Sequence, residues 1–305
     1  MRAAEGESSA VEGCGRRAGR RAGLAPVIVG LAIALMAALP AAAGAINYVS
    51  LGDSYTSAPG VLPYEASEQA EHCGRSTNNY PHLVAQALNL TLTDVSCGGA
   101  TTSDETESQF PGQPPQDEAL SESTEVVSIG MGGNDGGLFG TLLAGCSQID
   151  AIEGSPIKAA CRAKYESFVT ETFAADKGPE EAALKHVKEL APHAKVFVVG
   201  YPEITPAHGI CPSQFPWHEA DLKWFRNKVQ KVGNKMIKAG AKANGAIFVD
   251  TFKASEGHNA CQPYPTRWIE PILGSLTGVQ VHPNAIGEQQ DAYDVEQVML
   301  ENGVR

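Results

Sequence analysis

Basic residues are scarce in this sequence compared with acidic ones. Its 305 residues include 23 Lys and Arg against 35 Asp and Glu, which gives a formal net charge of −12 at pH 7. A protein with this balance repels the phosphates of nucleic acids and of anionic membranes. We therefore expect no nucleic-acid partner, whereas the charge excludes neither neutral lipids nor small esters.

The sequence also lacks an apolar run of the roughly 20 residues that a helix needs to cross a bilayer. Its most apolar stretch, residues 24–39, is shorter than this and is interrupted by Pro26 and Gly30. We therefore expect no stable membrane anchor.

The same stretch has the flanks of a secretory signal peptide. Four arginines precede it and a series of small residues follows it, which is the pattern of a cleaved leader. We predict that residues 1–45 are a signal peptide, cleaved after Ala43 or Ala45, and that the mature protein is secreted and extracellular. Its removal leaves 18 basic against 32 acidic residues, or a net charge of −14.

Cysteine is sparse as well, and no two cysteines form the Cys-x-x-Cys pair of a zinc site. No histidine stands at zinc-finger spacing, so we expect neither a metal nor another cofactor. Cys14 lies in the predicted signal peptide, and the six remaining cysteines are an even number, as a disulfide framework requires. Many connectivities are open, and the simplest pairs neighbours: Cys73 with Cys97, Cys146 with Cys161, and Cys211 with Cys261.

Short apolar runs alternate with longer amphipathic stretches along the rest of the chain. This alternation is typical of an α/β domain with a mostly parallel sheet. No internal repeat or long linker divides the chain, so we predict a single domain over residues 46–305. The predicted strands are residues 46–51, 125–129, 195–199 and 246–249, and the predicted helices are residues 79–88, 179–190 and 217–243.

Chemically reactive groups follow the predicted strands. Ser54 comes directly after the first strand in the sequence Gly-Asp-Ser, and Asn134 follows the next strand in a glycine-rich turn. Ligand sites of open α/β sheets form at such strand ends. Between them, Gly99 lies in a turn of small residues where a backbone N–H can approach a ligand closely, and His282 precedes a proline near the C-terminus. The four together indicate a nucleophile, two hydrogen-bond donors and a base.

This order of residues resembles the SGNH (GDSL) hydrolases over nearly the whole mature chain. The resemblance is strongest to the secreted actinobacterial branch of esterases, lipases and phospholipases, because further segments also match that branch. The family blocks correspond to Gly52-Asp53-Ser54, Gly99, Gly132-Gly133-Asn134-Asp135 and His282, and the branch segments to Cys73-Gly74-Arg75-Ser76, Tyr80-Pro81, Gly257-His258-Asn259-Ala260-Cys261 and Trp268-Ile269.

The resemblance implies a flavodoxin-like three-layer α/β/α sandwich with a mostly parallel central sheet, and three disulfides that join neighbouring cysteines. It implies that Ser54 attacks an ester carbonyl while His282, as general base, accepts the hydroxyl proton. The oxyanion hole would consist of the N–H groups of Ser54 and Gly99 and the side-chain amide of Asn134.

One position departs from the pattern of many family members, which carry Asp three residues before the histidine. Here that residue is Val279, so no carboxylate can orient His282 from there. In some members of the branch a backbone carbonyl at this position accepts the imidazole N–H. Our hypothesis is a dyad of Ser54 and His282 supported by the carbonyl of Val279.

The resemblance favours lipid or simple aliphatic esters as substrates, hydrolysed through an acyl-enzyme on Ser54. Three alternatives stay open on the sequence: an acetyl or acyl esterase acting on polysaccharide, acyl transfer to an alcohol, and a non-catalytic lipid- or carbohydrate-binding protein with the same fold. The acidic charge and the disulfide framework lead us to expect a monomer.

Overall fold

In the part of the chain that the structure describes, five parallel strands form the central sheet. The computed structural model describes residues 45–150 and 159–305, so all of the predicted signal peptide but Ala45 lies outside the described residues. The strands are β1 (Asn47–Gly52), β2 (Thr91–Asp94), β3 (Val126–Gly130), β4 (Lys195–Val199) and β5 (Ile247–Val249). Their order in the sheet is β2-β1-β3-β4-β5, and every pair is parallel.

The helices flank this sheet and connect its strands. They are α1 (Ser54–Ser57), α2 (Glu68–His72), α3 (Tyr80–Leu88), α4 (Leu138–Asp150), α5 (Ala160–Leu190), α6 (Glu219–Trp224), α7 (Lys231–Ala243), α8 (Thr251–Ala254) and α9 (Ala285–Glu301). A turn of π-helix, Phe225–Gln230, joins α6 to α7. Within the described residues, no helix is both long and apolar enough to cross a membrane.

Each face of the sheet carries its own apolar core, because successive residues of a strand point to opposite faces. On one face, residues such as Val49, Val127 and Val196 pack against Leu184 of α5 and Ile237 of α7. The other face carries Tyr48, Val126 and Phe197, which pack against Val84 of α3 and Val295 of α9. The predicted α/β/α sandwich with a parallel sheet is therefore confirmed.

The neighbouring strands β1 and β3 end together, and this brings the turn with Ser54 and the turn with Asn134 to one edge of the sheet. Gly52 lies opposite Gly130 in the register. A Cβ atom at Gly52 would lie 2.2 Å from Oγ1 of Thr56 and 2.8 Å from the carbonyl oxygen of Gly130. Only glycine allows the chain to turn this closely into α1.

Three disulfides join the six cysteines of the described residues as neighbours along the chain, which is the pairing expected above. Cys73–Cys97 holds the loop before Gly99 against the turn after α2, where the N–H of Gly98 donates to the carbonyl of Cys73 at 2.9 Å. The other two pairs are Cys146–Cys161 and Cys211–Cys261.

Candidate active site

Ser54 is the first residue of α1 and lies immediately beyond the sheet. Asp53 caps the helix: its Oδ1 accepts a hydrogen bond from the N–H of Tyr55 at 2.8 Å. The N–H of Asp53 in turn donates to the carbonyl of Gly130 at 2.9 Å. The sheet and the cap together fix the serine at the carboxyl end of β1, where an open α/β sheet binds its ligands.

His282 reaches the same point from the C-terminal part of the chain. Its Nε2 lies 2.7 Å from Oγ of Ser54, within hydrogen-bond distance. Burial lowers the pKa of His282 below its ordinary value of 6.5, while the hydrogen bond to the carbonyl of Gln280 acts in the opposite direction. The neutral imidazole is therefore favoured, and this is the form that can accept a proton from a serine hydroxyl.

The carbonyl that orients this imidazole belongs to Gln280, so the assignment to Val279 is wrong. Nδ1 of His282 lies 2.8 Å from the carbonyl oxygen of Gln280, which can only accept, so Nδ1 carries the proton and Nε2 is free to accept one. The Val279 carbonyl accepts the backbone N–H of His282 at 3.2 Å instead. The reason is the left-handed backbone of Val281, with φ of 60°, which turns the chain between these residues.

Tyr55 connects the serine segment to the histidine segment. Its hydroxyl donates to the carbonyl oxygen of Val281 at 2.5 Å, and its ring lies 5.0 Å from the imidazole of His282 between centroids. Tyr55 is buried. No sequence pattern pointed to it, because its partner is 226 residues away.

Gly99 and Asn134, which with the N–H of Ser54 are the expected oxyanion donors, lie in the same cleft as Ser54 and His282. Gly99 has φ of +80°, a conformation in which glycine is favoured. Nδ2 of Asn134 donates to the carbonyl of Ala100 at 3.0 Å, which leaves the second N–H of this amide available for a ligand. The cleft has a volume of about 350 Å³ and is lined by these four residues and by apolar side chains including Pro59, Phe139, Leu143 and Val279.

Tyr201, two residues beyond the end of β4, connects the turn after β1 to the turn after β3 through hydrogen bonds. Its hydroxyl donates to Oδ2 of Asp53 and accepts the N–H of Gly133 at 2.8 Å. Burial raises the pKa of Asp53 to about 7, against the opposing effect of the Tyr201 hydrogen bond. Tyr201 was not predicted from the sequence, although its position two residues after a predicted strand was a usable signal.

Among the described residues, one group brings metal-ligating side chains together outside this cleft. It consists of Glu65, His82 and Asp94. Arg75 already pairs with Glu65 at 3.1 Å, and Nδ2 of Asn79 donates to Asp94 at 2.7 Å. The group is therefore part of an ion-pair and hydrogen-bond network, which connects α3 to β2.

Comparison with known proteins places this geometry in a family. Residues 50–290 match the family model described as GDSL-like lipase/acylhydrolase. The chain is 38% identical to Lipase 2 of Streptomyces coelicolor over 257 residues, which cover 82% of this chain and 85% of the relative.

Two solved structures share the fold over nearly their full length. The phospholipase A1 of Streptomyces albidoflavus NA297 superposes with a TM-score of 0.68 at 27% identity, and the extracellular lipase of Streptomyces rimosus with 0.66 at 26%. Each alignment covers 84% of this chain and 99% of the other. The extent of these matches shows that the chain belongs to the GDSL-like lipase/acylhydrolase family and is a serine ester hydrolase.

Proposed function

We propose that this protein hydrolyses lipid or simple aliphatic esters outside the cell, with Ser54 as nucleophile and His282 as general base. The observation that carries the proposal is the 2.7 Å contact between Nε2 of His282 and Oγ of Ser54 at the floor of an apolar cleft. A serine paired in this way with a neutral imidazole is the arrangement that activates a hydroxyl for attack.

The reaction follows from the tautomer of His282. Oγ of Ser54 attacks the ester carbonyl as Nε2 of His282 takes its proton, and the carbonyl of Gln280 stabilises the imidazolium through Nδ1–H. The N–H groups of Ser54 and Gly99 and the amide of Asn134 hold the oxyanion. His282 then protonates the leaving alcohol. Water, deprotonated by the same nitrogen, attacks the acyl-enzyme, and Nε2 returns the proton to Oγ of Ser54 as the acid leaves.

Support for an aliphatic substrate comes from the walls of the cleft. Pro59, Phe139, Leu143 and Val279 present apolar surface next to Ser54, and such surface binds acyl chains better than sugar hydroxyls. The relatives named as lipases and the structural neighbour named as a phospholipase A1 support the same substrate class. Export is supported by the three disulfides, which are typical of proteins that fold outside the cytoplasm.

A series of p-nitrophenyl esters from acetyl to palmitoyl, compared with acetylated xylan, tests the substrate class. We expect turnover of the aliphatic esters, with kcat/KM that rises with chain length, and little release of acetate from xylan. His282→Ala, checked for folding by circular dichroism, is the control for background hydrolysis. Preferential release of acetate from xylan would instead support the polysaccharide esterase.

A further inference from the structure

Two loops without charged residues meet at the mouth of the cleft. Residues 58–64 and residues 271–281 contain no Asp, Glu, Lys or Arg, in a chain whose net charge is −12. The loops touch each other closely: a Cβ atom at Gly60 would lie 2.7 Å from Cα of Gly278, and the N–H of Val279 donates to the carbonyl of Pro59 at 3.4 Å.

Large apolar side chains on these loops point into solvent. Leu62 is 69% exposed and Leu276 is 67% exposed. Each stands two residues from the contact between Gly60 and Gly278, which places its Cα within about 8 Å of that contact. Val279 is 41% exposed and also lines the cleft. We call Leu62, Leu276 and Val279 the apolar rim.

We propose that the apolar rim docks on the surface of a neutral or zwitterionic lipid aggregate, an inference that rests on the proposed function. A single exposed leucine needs no explanation, but these three residues lie on two uncharged loops that meet beside Ser54. Long-chain esters are held in aggregates, so a rim inserted among acyl chains places the cleft where its substrate is. The acidic charge of the chain opposes an anionic surface and favours lipids without net charge.

Binding to vesicles tests this proposal without turnover. The folded Ser54→Ala protein is mixed with phosphatidylcholine vesicles, and the bound fraction is measured by sedimentation. On docking, both leucine side chains would be buried in the lipid, and their loss corresponds to at least about a tenfold change in affinity. We therefore expect Leu62→Ser/Leu276→Ser, in the Ser54→Ala background, to bind at least tenfold more weakly. Tyr293→Ser is the matched control, because Tyr293 is 55% exposed on α9 and lies outside the cleft lining.

Hydrolysis distinguishes a failure of the rim from a failure of the proposed function. With Ser54 present, Leu62→Ser/Leu276→Ser should hydrolyse dissolved p-nitrophenyl acetate at the wild-type rate. Its rate of hydrolysis on phosphatidylcholine vesicles should be at least fivefold lower than that of the wild type. If the wild type hydrolyses neither substrate, the proposed function fails, and the vesicle binding of the Ser54→Ala protein still reports on the rim.

Three results would overturn the docking proposal. The first is equal affinity of the leucine variant and its parent for phosphatidylcholine vesicles. The second is binding that requires anionic lipid and disappears with added salt, which would indicate an electrostatic surface. The third is a concentration-dependent dimer, abolished by the leucine substitutions, in a protein that does not bind vesicles, because the rim would then pair two copies of the chain.

Discussion

The hydroxyl of Tyr55 donates a hydrogen bond to the backbone carbonyl of Val281, so the residue after Ser54 holds the residue before His282. Val281 has a left-handed backbone, which is unfavourable for a β-branched residue by about 1–2 kcal/mol. The contact therefore stabilises the one conformation of the chain that directs the Gln280 carbonyl at the imidazole.

Removal of this hydroxyl should slow catalysis without weakening substrate binding. For Tyr55→Phe we expect kcat to fall about fivefold and KM to change less than twofold, because one buried hydrogen bond contributes roughly 1 kcal/mol. Steady-state kinetics on a soluble ester provide the measurement, with Tyr165→Phe on α5 as the control. An unchanged kcat in a folded Tyr55→Phe protein would show that His282 keeps its place without this contact.

The side chain of Asn134 should matter mainly in the transition state. Loss of one oxyanion donor costs about 3 kcal/mol, so Asn134→Ala should lower kcat by about a hundredfold or more with little change in KM. Asn302→Ala, which removes an exposed amide after α9, controls for a general effect of losing asparagine. A rise in KM at constant kcat would instead indicate that Asn134 binds the ground state.

The pH profile reports how His282 is oriented. Because burial lowers its pKa below 6.5, the imidazole stays neutral to lower pH than usual, and kcat/KM should rise with pH through a midpoint below 6.5. A carboxylate facing the ring would raise the pKa instead. A midpoint clearly above 6.5 in the free enzyme would contradict the dyad with a carbonyl partner.

Glu105 should destabilise the protein as the pH rises from about 4.5 to about 8. Its side chain is buried, neither carboxylate oxygen has a hydrogen-bond partner among the described residues, and burial, followed by the charge of Asp117, raises its pKa to about 8. In the unfolded state Glu105 ionises with a pKa near 4.5. The free energy of unfolding therefore falls by about 1.4 kcal/mol per pH unit as the pH rises from about 4.5 to about 8.

The neutral variant Glu105→Gln removes this pH dependence. Its melting temperature should exceed that of the wild type by a margin that grows between pH 5 and pH 8 and is constant above. Thermal denaturation across this range measures the margin, and Glu107→Gln, at an exposed position of the same loop, should show none. A constant difference at all pH values would mean that Glu105 does not titrate as described.

The strands and the reactive residues could be predicted because their signals are local. Four of the five strands lie within one residue of their predicted bounds, whereas β2 was missed because its residues Thr91–Asp94 carry one large apolar side chain and form an edge. Helix α5 begins at Ala160, well before the predicted start at residue 179, and Pro179 lies inside it.

Long-range contacts could not be predicted in the same way. Ser54 and His282 each had a motif, but Tyr201 meets Asp53 across 148 positions of the chain. The imidazole of His282 meets the carbonyl of Gln280 and not that of Val279 because a single residue, Val281, has a left-handed backbone. Nothing in the side chain of a valine indicates that conformation, which is imposed by the packing and hydrogen bonds around it.

The central claim is that Ser54 forms the acyl-enzyme, and covalent labelling combined with turnover tests it most directly. Wild-type protein treated with a fluorophosphonate should gain one adduct, located by mass spectrometry on Ser54, and lose its hydrolysis of p-nitrophenyl butyrate. Folded Ser54→Ala should take up no adduct and be at least about a thousandfold slower, as expected for the loss of a nucleophile. Labelling at another residue, or turnover by Ser54→Ala equal to the wild type, would contradict the account.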